Sequence, residues 1–215
     1  MTDLMRMSKL RRMFASAGEE IRSHQELLSQ LDSVGGDGDH GTTMVRAIEV
    51  LVSELKEESD KSLNVRLKDA GWRVLGVDGG ASSALLGIFI GGMGDVAMES
   101  ESDCKQLAAS FAAGLGAVQK QTKAGPGDKT MIDALVPAVL AFETAANDDQ
   151  PIAWAMKMAA EAAHAGAEST KDMIARYGRA KFIGEKSRGS ADAGATSIAL
   201  LFEGFRSALA EHEEG

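Results

Sequence analysis

The sequence predicts an all-α protein of eight helices around one core, with no sheet, on three observations. Apolar residues recur at steps of three, four and seven along most of the chain. No segment alternates as a half-buried strand does, and β-branched residues hardly cluster. No repeat, low-complexity stretch or long polar linker divides the 215 residues, so a single domain is expected over 1–215.

The first helix is expected over residues 4–31, where Leu10, Phe14, Ala17, Ile21, Leu28 and Leu31 form one stripe. A second fits Thr42 to Lys56, with Val45, Ile48, Val52 and Leu55 on one face and Thr42 as its cap. Asn64 is placed to cap a third, through Leu67, Val74 and Leu75, and a glycine-rich fourth fits Ser82 to Met98. Asp103 opens the fifth through Leu107, Phe111, Leu115 and Val118, and alanine-rich segments such as 108–117 suggest close helix packing. The sixth would start at Asp128, since Ile132, Leu135, Val136 and Val139 follow at helical spacing. Pro151 suits the first turn of a seventh running toward Tyr177. Ile198, Leu201, Phe202, Phe205 and Leu209 mark the eighth. The methionine and tryptophan stripes are expected to lie in the core.

With 44% apolar and 26% charged residues the composition is that of a globular protein. The net charge of −9 would repel a nucleic-acid backbone or an anionic membrane surface, so bound phosphate must be held locally, with metal the natural bridge. Neither nucleic acid nor membrane is expected as a partner. Cys104 is the single cysteine, which excludes an intramolecular disulfide and points to the cytoplasm. The first fifteen residues lack the apolar run of a signal peptide, and the run from Ala84 to Ile90 is too short to span a bilayer.

Chemistry gathers in the loops. Gly35-Gly36-Asp37-Gly38-Asp39-His40-Gly41, with Asp32 upstream, brings three carboxylates together. They would repel one another without a cation, and oxygen-only ligands suit a hard ion such as Mg²⁺. The plain alternative is a solvated acidic turn. The formal GxGxxG match fails because a helix precedes it and its own acidic groups would repel a pyrophosphate. An EF-hand fails because Thr42 and Ile48 stand where glycine and glutamate are needed.

Gly125-Pro126-Gly127-Asp128-Lys129-Thr130-Met131 resembles a phosphate loop with Asp128 inserted, and a helix-capping turn explains it equally well. The longest break in the helical pattern runs from Gly178 to Ser197, where glycines admit an anion to backbone amides and Arg179, Lys186 and Arg188 supply positive charge. A solvated connection is the alternative there. Asp78-Gly79-Gly80-Ala81-Ser82-Ser83-Ala84 leads small residues into a helix whose first amides can take phosphate oxygens. His24, His164 and His212 read as structural or surface residues.

Taken together, Gly-Asp-Gly-Asp-His-Gly at 36–41, Gly-Gly-Ala-Ser at 79–82, Pro-Gly-Asp-Lys-Thr-Met at 126–131, Gly-Arg-Ala at 178–180 and Asp-Ala-Gly-Ala-Thr-Ser at 192–197 resemble the nucleotide-binding (L) subunits of dihydroxyacetone kinases. The resemblance runs from Leu31 to Phe205 and implies an antiparallel eight-helix barrel with ADP or ATP bound in the loops at one end. It implies that Asp32, Asp37 and Asp39 hold two Mg²⁺ ions. His40, Gly41, Thr42, Thr43, Ala81 and Ser82 would line the phosphate site, Met131 would touch adenine, and Arg179 with Asp192, Ala193 and Gly194 would close the far side. Ser83 stands where the family usually has glycine and Ala193 where proline is common. The related fatty-acid kinases share the aspartate loop but carry threonine at the position of His40 and are much longer.

The activity implied is transfer of a phosphoryl group to dihydroxyacetone held covalently by a histidine of a separate ketose-binding K subunit, with Arg179 stabilising the group in flight. The donor would be phosphoenolpyruvate through a phosphotransferase-system M subunit that recharges bound ADP, or free ATP. A kinase subunit for another short ketose such as erythrulose, and a nonenzymatic nucleotide sensor, remain as rivals, and a homodimer is compatible with the sequence.

Overall fold

A computed structural model of the chain describes residues 4–98 and 101–210, so His212 lies outside the described residues. The α-helices are α1 (Met7–Ser23), α2 (Gln25–Ser33), α3 (His40–Lys56), α4 (Leu63–Leu75), α5 (Ala81–Met93), α6 (Cys104–Gln121), α7 (Ile132–Asn147), α8 (Ile152–Ser169) and α9 (Ala193–Ala210). Eight of them form a closed ring: α1 packs on α3, each helix from α3 to α8 packs on its successor, and α9 returns to α1. The short α2 lies against α3 and α9. Because short connections make ring neighbours antiparallel, α3, α5, α7 and α9 all begin at the same end.

The ring interior is filled by aromatic side chains. Phe111 sits with its ring centroid 5.0 Å from Phe142, 5.6 Å from Phe202 and 6.2 Å from Phe89, and Phe14 meets Phe205 edge-on at 4.9 Å. All are fully buried, and deleting one such ring from a filled interior costs about 3–5 kcal/mol. The wall is thin where small residues face each other. A Cβ on Gly71 of α4 would lie 2.4 Å from the Gly91 nitrogen of α5, so the glycines that weaken α5 by propensity let two backbones touch. Pro137 within α7 leaves the Asp133 carbonyl without its usual helical donor. A Cβ on Gly166 of α8 would come within 2.1 Å of that oxygen, so α8 packs directly on it.

Several expected boundaries move. The expected first helix is two, broken at His24 (φ −105°, ψ 14°), whose Nδ1 lies 2.8 Å from the Glu20 carbonyl. Ile21 and Leu28 stay in phase across the break, which hides it from periodicity. Met5–Arg6 and Glu101–Ser102 pair as a two-residue antiparallel bridge, a minimal sheet where none was expected. The helix beginning at His40 has no side-chain cap, and Thr42 instead accepts a hydrogen bond from Gln25 Nε2 at 3.3 Å. Ser62 rather than Asn64 precedes α4, and α5 ends at Met93, short of Met98. Asp103 forms the expected cap of α6, a reciprocal pair with Gln106. Asp128 belongs to a turn before α7, and α8 stops at Ser169, followed by 3₁₀ turns at Thr170–Asp172 and Arg179–Ser187. The methionines named in the core include Met13, Met44, Met93 and Met156, but Trp72 is 77% exposed and Trp154 is 48% exposed under the ammonium of Lys157. No helix among the described residues is long and apolar enough to cross a membrane.

Candidate active site

At the end where α3, α5, α7 and α9 begin, a cavity of about 490 Å³ is enclosed by four loops. The end of α2 supplies Asp32, the loop after it Asp37 and Asp39, the first turn of α3 His40 and Thr43, the start of α5 Gly80, Ala81 and Ser82, and the turn before α7 Lys129. The stretch 177–194 supplies Arg179, Asp192, Ala193 and Gly194. Helix N-termini present unpaired N–H groups and the positive end of the helix dipole, and neither α3 nor α5 has a side-chain cap to consume them. An anion is therefore the natural occupant of this end.

The acidic loop is tightly organised. Gly35 and Gly36 donate to the Asp32 carbonyl, Gly38 donates to Asp32 Oδ2 at 2.8 Å, and Thr43 donates to the Asp39 carbonyl at 2.9 Å. A Cβ on Gly36 would collide with Asp32 Oδ1 at 2.2 Å, and Gly38 has φ of +76°, so the carboxylate needs glycine at both positions. One oxygen each from Asp32, Asp37 and Asp39 lie within 4.8 Å of one another. Arg179 forms an ion pair with Asp37 and holds its carboxyl below the usual carboxylate range. His40 is buried, and loss of hydration pushes its imidazole down while Asp32 and Asp39 pull it up. Its Nε2 lies 2.8 Å from Ser197 Oγ on α9, which fixes the ring.

On the opposite wall Gly178 (φ +66°) and Gly189 (φ +93°) bracket a 3₁₀ segment with a kink at Gly184. This segment approaches the acidic loop where Gly35 meets Ala180: a Cβ on Gly35 would lie 2.8 Å from the Ala180 backbone. Asp192 caps α9 by accepting from Ala195 N–H at 2.8 Å, and burial pushes its carboxyl up to about 6. Ala193 is the first residue of α9, the helix position where a proline is tolerated best. Ser83, in turn, donates to the Gly80 carbonyl at 3.0 Å within the first turn of α5.

Of the residues singled out from sequence, Asp32, Asp37, Asp39, His40, Thr43, Ala81, Ser82, Arg179, Asp192, Ala193 and Gly194 line the cavity. Gly41, Thr42 and Met131 do not. A Cβ on Gly41 would lie 2.0 Å from the Gln25 carbonyl, so that glycine seats α3 on α2. Thr42 points to Gln25, and Met131 is buried beneath Gly194. Sequence reasoning did not single out Lys129, a buried lysine among the lining residues, or the aromatic rim of Tyr177 and Phe182. The signal available for Lys129 was its place after Gly-Asp in a turn otherwise lacking positive charge.

The arrangement separates two kinds of donor. Carboxylates on one side suit a hard cation, while helix N-termini and Arg179 on the other sides suit phosphate oxygens. The cluster fits Mg²⁺: its donors are all oxygens, and Asp37, already ionised beside Arg179, can ligate without losing a proton.

The chain matches the DAK2 domain family over residues 34–207. It is 35% identical to the "PEP-dependent dihydroxyacetone kinase, ADP-binding subunit DhaL" of Escherichia coli over 86% of this chain and 89% of that one. It is 38% identical to the "L-erythrulose 1-kinase" of Mycolicibacterium smegmatis, over 86% of this chain but only 32% of that longer one. The dihydroxyacetone kinase of C. freundii, solved with AMP-PNP and Mg²⁺, superposes with a TM-score of 0.71 at 26% identity, over 92% of this chain and 33% of that one. The chain thus spans about a third of that kinase.

Proposed function

This chain belongs to the DAK2 domain family, and from that premise we propose that it is the nucleotide-binding subunit of a dihydroxyacetone kinase. It would carry ADP or ATP and pass a phosphoryl group to dihydroxyacetone held on a partner K subunit. The observation that carries this reading is the convergence of three carboxylates, two uncapped helix N-termini and one arginine on a single cavity built from segments far apart in sequence.

Asp32, Asp37 and Asp39 would hold Mg²⁺, two ions by analogy with the family, and bound metal supplies neutralisation of phosphate charge. The chain's own residues do the rest. Backbone N–H groups at the starts of α3 and α5 would cradle phosphate oxygens, and His40, neutral and fixed by Ser197, offers a donor or acceptor without adding charge. Arg179 is paired with Asp37 in this structure and sits on the outer wall of the cavity, from which it can turn to the group being transferred. The protein contributes position and electrostatics and forms no covalent bond.

The relatives support two acceptors. The E. coli protein is named for dihydroxyacetone and the M. smegmatis protein for L-erythrulose, and the cavity would hold the nucleotide and leave the acceptor to a partner. The donor is the second open choice: phosphoenolpyruvate through an M subunit, as the name of the E. coli relative suggests, or ATP. A cytoplasmic location goes with either.

Two measurements test the reading. Calorimetry should find ADP binding with Mg²⁺ and little binding in EDTA, and unchanged affinity in chelator would sink the metal bridge. A coupled assay should find phosphorylation of dihydroxyacetone, or of erythrulose, only after a K subunit is added, and turnover by the isolated chain would show the acceptor site to be misplaced.

A further inference from the structure

We infer that Lys129 is a positioning residue of this site: its ammonium ties the stretch leading into α9 to the end of α8 and so fixes one wall of the nucleotide cavity. The inference rests on the nucleotide reading above. Lys129 is 5% exposed and is one of two non-glycine residues among those described with a positive φ, at +59°. Asp133 produces this conformation, because its two oxygens accept the N–H groups of Gly127 at 2.5 Å and Thr130 at 2.7 Å and curl the turn around Lys129.

The side chain then does what glycine could not. Its Nζ donates to the Thr170 carbonyl at 2.6 Å and to the Ser190 carbonyl, partners 41 and 61 residues away. Thr170 is buried, and its Oγ1 accepts the Asp192 N–H at 2.8 Å. One ammonium and one threonine therefore hold the backbone on both sides of Ala191, immediately before the two α9 residues that line the cavity. Two carbonyls do not neutralise a cation, and desolvation pushes this ammonium down while Asp192, Asp133 and Asp172 favour its charge. Left-handed backbone and a buried charge are both costly, and such features persist where surrounding structure over-determines them at functional sites.

A lysine that only stabilised the fold would, when removed, loosen the whole chain evenly. A positioning lysine would loosen one wall. The experiment compares Lys129→Gly, which suits the positive φ while deleting the ammonium, with Lys129→Met, which keeps the stem. In the nucleotide-free chain, amide hydrogen exchange at Asp192 and Ala195 should accelerate by about tenfold or more, with exchange at Thr43 on α3 unchanged. Affinity for Mg-ADP should fall by roughly tenfold to a hundredfold. Lys129→Cys alkylated with 2-bromoethylamine, in a Cys104→Ser background, restores an ammonium of nearly the same reach and should recover most of both effects. Unchanged exchange at Asp192 and Ala195, or acceleration spread evenly over all helices, overturns the inference. If the unmodified chain binds no Mg-ADP, the nucleotide reading fails, while the exchange arm still decides whether Lys129 holds this wall.

Discussion

The two walls of the cavity are built on opposite plans. The acidic loop between α2 and α3 is short, and its backbone is bonded at Gly35, Gly36, Gly38 and Thr43 to Asp32 or Asp39. The facing segment between Gly178 and Gly189 has three glycines at positive φ with open space around them, and within it only Ser187 is buried. Its anchors are few: Ser187 Oγ accepts from Ala175 N–H at 2.9 Å, and Gly189 N–H donates to the Lys171 carbonyl at 2.7 Å. A side that is to present three carboxylates to metal, as proposed, has to be fixed beforehand, because their mutual repulsion must be overcome before an ion arrives. The side that carries Arg179 is lightly held, which suits a group needed during transfer more than during binding.

The largest effect should come from breaking the fixed wall. Asp37→Ala or Asp39→Ala should reduce Mg²⁺-dependent ADP affinity by about a hundredfold or more, since the ion loses an anionic oxygen ligand and with it part of the bridge to phosphate. Calorimetry at saturating Mg²⁺ measures it, and affinity within a few fold of the parent chain would show the carboxylates to be surface charge.

The lightly held wall predicts a different signature. Arg179→Ala should lower single-turnover transfer with saturating partner by roughly 100-fold to 1000-fold, the scale of one preorganised electrostatic contact, and change ADP affinity far less. Arg179→Lys should recover part of the rate, because it keeps the charge and loses the planar fork. Losing the ion pair should also let the Asp37 carboxyl rise toward its ordinary value, so metal binding would weaken at a higher pH in the alanine variant. Equal losses in affinity and rate would place Arg179 with the ground-state ligands.

A smaller effect tests the junction of the walls. Asp192 carries a folded-state pKa of about 6 against an ordinary 3.8, so the folded chain binds more protons than the unfolded chain between those values. Stability of the nucleotide-free protein should therefore be highest at the acidic end of that window, fall as pH rises toward 6, and then level off. Asp192→Asn keeps an acceptor for Ala195 N–H, removes this slope and should stabilise the chain at neutral pH by about 1–2 kcal/mol. Urea unfolding of both forms from pH 4 to 8 gives the comparison, and parallel pH profiles would refute it.

The smallest change is expected at Thr42. Its side chain bonds to Gln25 outside the cavity, so Thr42→Ala should alter stability by no more than about 0.5 kcal/mol and leave ADP affinity within twofold. A larger loss of affinity would extend the phosphate site along α3.

Much of the site was legible because its parts are local. The carboxylates of Asp37 and Asp39 are two residues apart, and glycines beside them mark a loop whatever the rest of the chain does. Three of the residues named from sequence lie off the cavity wall. Met131, Gly41 and Thr42 sit in motif segments beside cavity residues, but Met131, in the turn before α7, packs under Gly194 of α9, while Gly41 and Thr42 of α3 face Gln25 of α2. Lys129 was read only as part of a phosphate-loop-like turn, because its partners, the carbonyls of Thr170 and Ser190, are remote and no residue type advertises them.

By itself the sequence determined the helical class, the phase of most buried stripes and the identity of the charged loops, since periodicity, capping residues and glycine clusters act over a few neighbours. It could not place the break at His24, because Ile21 and Leu28 remain in phase across it. Nor could it expose Trp72 and Trp154, whose outward position follows from which face of each helix the ring of neighbours leaves open. Only the closed ring decided that α3, α5, α7 and α9 begin together, and that Arg179 and Asp37, more than a hundred residues apart, form one ion pair. Such contacts depend on the order and direction of packing, which buried area drives and local sequence does not encode.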